Sequence, residues 1–140
     1  MSTASLRKPF DERVRILIAD DHPIVRKQVR SILERHSRFE VCGEAQDGAK
    51  AIEEAQRLKP DVVVLNVEMP VLNGFEAARE IKMKLPESAI VILSLGADRH
   101  LVEEAKSIGA HAYVAKSKAG EALVKAVETA VIGGDFVLVD

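Results

Sequence analysis

The stretch DVVVLNVEMPVLNG, residues 61–74, decides the fold because an apolar run delivers one polar side chain to the start of a polar loop. Residues 62–65 are all Val or Leu, which is typical of a parallel strand buried on both faces. Asn66 closes this run. Ligands of open α/β sheets bind beyond the carboxyl ends of the strands, so we expect Asn66 to face a functional site. The side chain that reaches this site is an amide and not a carboxylate.

Outward from this strand, apolar runs alternate with amphipathic helical stretches five times along the chain. The predicted strands cover residues 14–19, 39–44, 62–66, 89–94 and 112–115. This alternation predicts an α/β fold, a doubly wound five-stranded parallel sheet with five helices. We expect residues 1–13 to form a flexible N-terminal segment and residues 14–133 to form the domain. Residues 134–140 are either a C-terminal extension packed on the domain or the start of a linker.

Composition excludes several classes of protein. A length of 140 residues with 47% hydrophobic side chains suits one compact domain. The net charge is only -2 and the acids and bases are interleaved, so we expect no nucleic-acid binding by this chain itself. The sequence has neither a signal-like apolar start nor a run of about eighteen apolar residues. We therefore expect a soluble, cytoplasmic protein that makes no membrane contact.

Polar side chains also stand at the predicted carboxyl ends of other strands. Asp20 and Asp21 follow the first strand, Ser94 ends the fourth, and Lys116 follows the fifth. Carboxylate and amide oxygens are ligands that Mg²⁺ prefers. A lysine and a hydroxyl suit the oxygens of a phosphoryl group, by charge attraction and hydrogen bonding. The sequence therefore predicts phosphoryl chemistry at this edge of the sheet.

Each of these residues has a simpler interpretation when it is taken alone. Asp20 and Asp21 fit the role of caps for the following helix, and Ser94 that of an ordinary strand-end hydroxyl. Tyr113 fits a half-buried core aromatic. The four histidines have no metal-ligand spacing and are interpreted as surface or capping residues. Convergence of several polar groups at one edge favours the functional interpretation of the set.

These residues resemble the receiver domain of bacterial two-component response regulators. The resemblance rests on the acidic pair of IADDHP (18–23), the loop 61–74, the serine of VILSLGAD (91–98), and AYVAKS (112–117) with its tyrosine and lysine. It covers residues 14–133. The segments DDHP, KSKAGEAL and GGDFVL are most similar to the subfamily that carries a C-terminal LuxR/NarL-type helix-turn-helix domain. We expect none of residues 1–140 to form that output domain.

The resemblance implies a flavodoxin-like sheet of strand order 2-1-3-4-5 and a role for each matching position. Asp20, Asp21 and the backbone carbonyl of Glu68 would hold Mg²⁺. Ser94 and Lys116 would contact the phosphoryl group. The chain would thus act in phosphorelay signal transduction and not as an enzyme.

Asn66 occupies the position of the phosphoacceptor aspartate, and Tyr113 that of the aromatic residue whose position reports activation. A neutral amide oxygen is a poor nucleophile, so we expect no phosphorylation there. Loss of one anionic ligand should weaken Mg²⁺ binding, although Asp20 and Asp21 can keep a weak site. Two explanations of Asn66 compete. It is either an engineered acceptor knockout in an isolated receiver or the natural residue of a pseudo-receiver that signals through protein contacts.

Partners and rival functions follow from the same resemblance. With aspartate at position 66, the domain would take phosphate from a histidine kinase and control transcription through an output domain. A homodimer through the fourth helix, fifth strand and fifth helix is one expected assembly. The rival function is a Mg²⁺-dependent phosphohydrolase of the haloacid dehalogenase type, but the first strand leads into DDHPI, not D-x-D-x-T. A flavodoxin-like cofactor binder ranks last because Asp20 and Asp21 repel phosphate.

Overall fold

Strands and helices alternate throughout the computed structural model, which describes residues 12–96 and 98–140. The predicted flexible segment 1–13 lies almost wholly outside the described residues. The elements are β1 (Val14–Ala19), α1 (Pro23–Glu34), β2 (Phe39–Ala45), α2 (Gly48–Leu58), β3 (Val62–Asn66), α3 (Gly74–Lys84), β4 (Ala89–Ser94), α4 (Arg99–Ser107), β5 (Ala112–Ala115), α5 (Ala119–Ile132) and β6 (Val137–Val139). The five predicted strands are all present, and β2 is one residue longer than expected.

The strands form one parallel sheet of order β2-β1-β3-β4-β5-β6. This confirms the α/β flavodoxin-like fold and the order predicted for the first five strands. The expected count of five is one too low, because Val137–Val139 adds a sixth strand beside β5. Three residues are too few to give a recognisable alternation of apolar and polar positions, so the sequence pattern did not reveal this strand.

The sheet divides the hydrophobic core into two layers. Alternate residues of β3 point to opposite faces, with Val62 and Val64 in one cluster and Val63 and Leu65 in the other. The first cluster includes the buried faces of α1 and α5, and the second those of α2, α3 and α4. Every residue of β3 is buried. The strand that carries Asn66 is therefore fixed from both sides.

The five helices pack on the two faces of this sheet. The longest described helix is α5, with 14 residues. Among the residues that the structure describes, no helix is both long enough and apolar enough to span a bilayer.

Candidate phosphoacceptor site

Four strands bring the predicted polar residues to one edge of the sheet. Asp20 directly follows β1, Asn66 ends β3, Ser94 ends β4, and Lys116 directly follows β5. Asp20, Asn66 and Ser94 are at most 3% exposed. Buried polar side chains of this kind are retained where they have partners or a function. The expected convergence of the strand ends is present in the structure.

The loop between β3 and α3 holds Asn66 in place. The Asn73 side chain accepts a hydrogen bond from the Glu76 N–H at 2.9 Å, and the Glu76 carboxylate accepts one from the Asn73 N–H at 2.9 Å. This capping box starts α3. Gly74 then approaches β3 so closely that a Cβ there would lie 2.1 Å from the backbone oxygen of Asn66. Only glycine fits at this point, which explains why the motif of residues 61–74 ends in Gly74.

Val71 strains the same loop. Its φ of 71° is in the left-handed region, and its side chain is 76% exposed. A β-branched residue adopts this conformation only where its surroundings impose it. Strained backbone of this kind clusters at functional loops, so Val71 adds weight to the assignment of this edge as a site.

The amide of Asn66 points its nitrogen into the site. Asn66 Nδ2 donates to the carbonyl oxygen of Glu68 at 2.6 Å and to Asp21 Oδ1 at 3.4 Å. The opposite orientation would place two acceptor oxygens 2.6 Å apart, so hydrogen-bond chemistry selects this one. The amide therefore donates hydrogen bonds to two of the oxygens that the resemblance implies as Mg²⁺ ligands.

Lys116 pairs with the first aspartate. Its Nζ lies 3.1 Å from Asp20 Oδ2, and its side chain is 17% exposed. Asp20 Oδ2 is buried and accepts no well-directed hydrogen bond from the described residues. The contact is thus an ion pair, held by charge and not by hydrogen-bond direction. Lys116 keeps an anionic partner although Asn66 is neutral.

His22 also belongs to this site, and the sequence interpretation missed it. Its Nδ1 lies 3.1 Å from Asp20 Oδ1 and 3.2 Å from Asp21 Oδ1, and its backbone N–H donates to Asp20 Oδ1 at 2.9 Å. His22 occupies the N-cap position of α1 but makes no side-chain cap. The N-cap residue of α1 is thus His22 and not Asp20 or Asp21, although Asp20 Oδ1 accepts the His22 N–H just before the helix. The sequence feature that could have identified His22 as a site residue is its position between the acidic pair and Pro23.

Arg26 is a second residue that the sequence did not identify. Its Nη1 donates to the backbone carbonyl of Asp20 at 2.7 Å, while its Nε donates to Glu44 at 2.8 Å. Partial burial works to raise the pKa of Glu44, but hydrogen bonds from Arg30 and Arg26 outweigh it and hold that pKa below its usual value. Arg26 therefore ties the end of β1 to β2 and α1, and it acts as a positioning residue.

The oxygen atoms here suit a hard divalent cation, but the Asn66 amide already donates hydrogen bonds to two of them. Single ligand atoms of Asp20, Asp21 and His22 lie within 4.8 Å of one another, and the Glu68 carbonyl faces the same region through Asn66. Mg²⁺ prefers such carboxylate and carbonyl oxygens. The oxygen set fits the ion, and a bound ion would have to displace the amide.

Tyr113 links the site to the loop before α4. The side chain is fully buried, and its hydroxyl donates to the carbonyl of Gly96. Burial raises the pKa of Tyr113, and a hydrogen bond with Ser94 works in the opposite direction without cancelling the effect. The hydroxyl thus stays protonated at neutral pH and remains a donor. Through its hydrogen bond to Gly96, Tyr113 thereby connects β5 with the loop before α4.

A flavodoxin-like sheet with carboxylates, a hydroxyl and a lysine at its carboxyl edge defines an α/β domain suited to phosphoryl signalling. Residues 16–128 match the response regulator receiver domain family, so this chain belongs to that family. Receiver domains are mostly non-enzymatic signalling domains, and they bind Mg²⁺ through acidic residues. Response regulators interact with histidine kinases.

The proteins to which the chain is similar include transcriptional regulatory proteins and a response regulator of the LuxR family. It is 32% identical over 127 residues to transcriptional regulatory protein DegU of Brevibacillus brevis, covering 91% of this chain and 54% of that protein. It is 41% identical over 117 residues to PdtaR of Mycobacterium tuberculosis, covering 84% and 56%. The chain thus spans about half the length of these relatives. A LuxR-family response regulator structure from Aurantimonas sp. SI85-9A1 is 33% identical with a TM-score of 0.85, covering 89% of each chain.

Proposed function

We propose that this chain is a non-enzymatic receiver in a phosphorelay whose phosphoacceptor position is blocked by Asn66. The observation that carries the proposal is the position of Asn66 at the end of β3, with its amide nitrogen 2.6 Å from the Glu68 carbonyl. In a receiver that accepts phosphate, a carboxylate oxygen at this position attacks phosphorus and the donor's imidazole departs. A neutral amide lacks the charge that this attack needs.

The remaining residues keep the roles that the family implies. Lys116 would attract the phosphoryl oxygens, and Ser94 would donate a hydrogen bond to one of them. Asp20, Asp21 and the Glu68 carbonyl would hold Mg²⁺, which supplies positive charge against the phosphoryl oxygens when it is bound. The hydrogen bonds of Asn66 to Asp21 and Glu68 support the proposal that this binding is weakened.

Partners are proposed from the family and from the relatives. We propose a histidine kinase as the upstream partner and control of transcription through an output domain, since the relatives are transcriptional regulatory proteins about twice as long. The chain itself would contact neither nucleic acid nor membrane and would work in the cytoplasm. A homodimer would use the α4–β5–α5 face, by which we mean the outer surface of those three elements.

A second candidate is a natural pseudo-receiver that works without phosphate. The observation that favours it is the pairing of Asn66 Nδ2 with both Glu68 and Asp21, because these two oxygens then have a hydrogen-bond donor without a cation. An engineered Asn66 in an ordinary receiver would give the same contacts. The two candidates differ in whether restoration of the carboxylate restores a response. A phosphohydrolase is a remote third possibility, and we expect no turnover of a generic phosphatase substrate.

The test is Asn66→Asp, incubated with acetyl phosphate and Mg²⁺ and measured by intact-protein mass spectrometry. We expect the variant to gain the mass of one phosphoryl group, because a carboxylate then faces Lys116 and the acidic pair. The matched control is Asn73→Asp, which introduces the same change in the same loop and preserves the α3 cap. Neither the control nor the unchanged chain should gain mass. An Asn66→Asp variant that remains unlabelled would favour the pseudo-receiver.

A further inference from the structure

Strand β6 occupies the outer edge of β5. The two strands run in parallel, with Ala112, Tyr113 and Val114 in register with Val137, Leu138 and Val139. The N–H of Val137 also donates to the His111 carbonyl at 3.1 Å. Since β4 pairs with the other side of β5, both edges of β5 are used. The backbone groups on the outer edge of β5 are thus paired within the chain.

The residues around β6 contact both layers of the core. Phe136 packs against the cluster that includes α4, and Lys106 Nζ of α4 lies 5.4 Å from the centre of its ring. Val137 and Val139 pack against the opposite cluster, which includes α5. Residues 135–140, the cover segment, therefore lie across the α4–β5–α5 face and bury part of it.

The cover segment is short and only partly buried. Its strand has three residues, and the middle one, Leu138, is 49% exposed. Phe136, Val137 and Val139 are only partly buried. The connection from α5 runs through Gly133 and Gly134, which are exposed. Short edge strands with few buried contacts open at a small fraction of the global unfolding free energy. The cover segment can therefore leave while the rest of the sheet stays folded.

We propose that the cover segment is a reversible cover of the α4–β5–α5 face, and that a second copy of the chain binds this face only after β6 has left β5. The inference rests on the dimer face of the proposed function. Once β6 leaves, β5 presents unpaired N–H and C=O groups beside apolar surface newly exposed on α4 and α5, and such an edge attracts another chain. We take that chain to be a second copy, because its own uncovered β5 edge offers the same unpaired backbone groups and the same apolar surface for a two-fold symmetric contact.

The outer edge of β6 is a poor substitute for this surface. Antiparallel pairing of two cover segments about their centres would place Asp135 of one copy opposite Asp140 of the other. Like charges directly opposite one another destabilise a strand pair. The covered state is therefore expected to be monomeric, and dimer formation reports that the cover has opened.

The test compares Phe136→Ala with Leu138→Ala, two truncations in the same segment. Phe136 is the anchor on α4, whereas Leu138 is half exposed. We expect Phe136→Ala to speed hydrogen exchange of residues 136–139 about tenfold and to shift the protein towards dimer in sedimentation velocity. Leu138→Ala should change neither measurement appreciably. Lys106→Ala weakens the same anchor from α4 and should act in the same direction as Phe136→Ala, to a smaller extent.

Several outcomes would overturn the proposal. If Phe136→Ala exchanges faster but stays monomeric, the segment does not control the face. If its exchange is unchanged, Phe136 is not the anchor. A dimer of the unchanged chain with β6 still protected would also reject the cover. Labelling of Asn66→Asp is an independent measurement, so failure of the cover leaves the receiver assignment standing, and failure of labelling leaves the cover standing.

Discussion

Asn66 alters its site through the two hydrogens on its amide nitrogen. They reach the Glu68 carbonyl and Asp21, both of which would otherwise turn lone pairs towards the same space. An aspartate in the same pose would bring a carboxylate oxygen to 2.6 Å from the Glu68 oxygen. A proton or a cation between the oxygens would relieve such crowding. The hydrogens of the Asn66 amide thus offset the repulsion between these oxygens, as a bound cation would.

This predicts different metal responses for two otherwise identical proteins. In thermal unfolding, Mg²⁺ should stabilise Asn66→Asp by about 2.7 kcal/mol at a hundredfold excess over its dissociation constant. The unchanged chain should respond much less, because the ion has to displace the amide. Without the ion, Asn66→Asp should be the less stable of the two. Sodium chloride at matched ionic strength is the control, and equal stabilisation of both proteins would contradict this account.

Gly74 gives a second prediction for a single residue. Gly74→Ala should lower the free energy of unfolding by about 1–3 kcal/mol, because the new Cβ would press on the backbone oxygen of Asn66. The control is Gly120→Ala in α5, where nothing lies within 4 Å of the added carbon. That change should be neutral or stabilising by up to about 1 kcal/mol. Chemical denaturation measures both, and similar effects would show that the close approach is relaxed in solution.

At the scale of elements, α1 and β2 are joined by charge. Glu44 of β2 accepts hydrogen bonds from Arg26 at 2.8 Å and from Arg30 at 2.9 Å, both of α1. Glu44 is partly buried, and its pKa is lowered by these partners against the effect of burial. A lowered pKa in the folded state means that the carboxylate stabilises the fold above the ordinary glutamate pKa. That contribution is lost as the pH falls through the lowered value.

Glu44→Gln should therefore show a pH-dependent defect. At pH 7 we expect a loss of about 1 kcal/mol in the free energy of unfolding, since charge-assisted hydrogen bonds become neutral ones. Below the ordinary glutamate pKa of about 4.3, the difference from the unchanged chain should shrink. Glu40→Gln, an exposed change in the same strand, is the control and should have little effect. A defect that is constant from acidic to neutral pH would argue against the ion pairs as its cause.

At the scale of the whole molecule, most of the fold was predictable because buried parallel strands leave a strong signal. The five apolar runs predicted where strands β1 to β5 lie, and the family resemblance predicted their order in the sheet. β6 was not predicted, since three residues show no period and pair only through tertiary contact. The sequence alone therefore left residues 134–140 with two possible roles.

The site was predictable in membership but not in its contacts. Asp20, Asn66, Ser94 and Lys116 stand at strand ends, so topology alone brings them together. The parts that were missed depend on side-chain direction. His22 turns back onto the acidic pair, and Arg26 reaches from α1 to the carbonyl of Asp20. The orientation of the Asn66 amide depends on the Glu68 carbonyl, whose direction no sequence pattern encodes.

The strand order also has a consequence for how the chain assembles during synthesis. β1, β2 and β3 form a contiguous block of the sheet, and each later strand then pairs with the one made just before it. Because proteins emerge from the ribosome N-terminus first, the sheet can grow outward from the β3 side in the order of translation. No strand has to wait for a distant partner after β3 has joined. Of the described strands, β6 is added last, at the outer edge of β5.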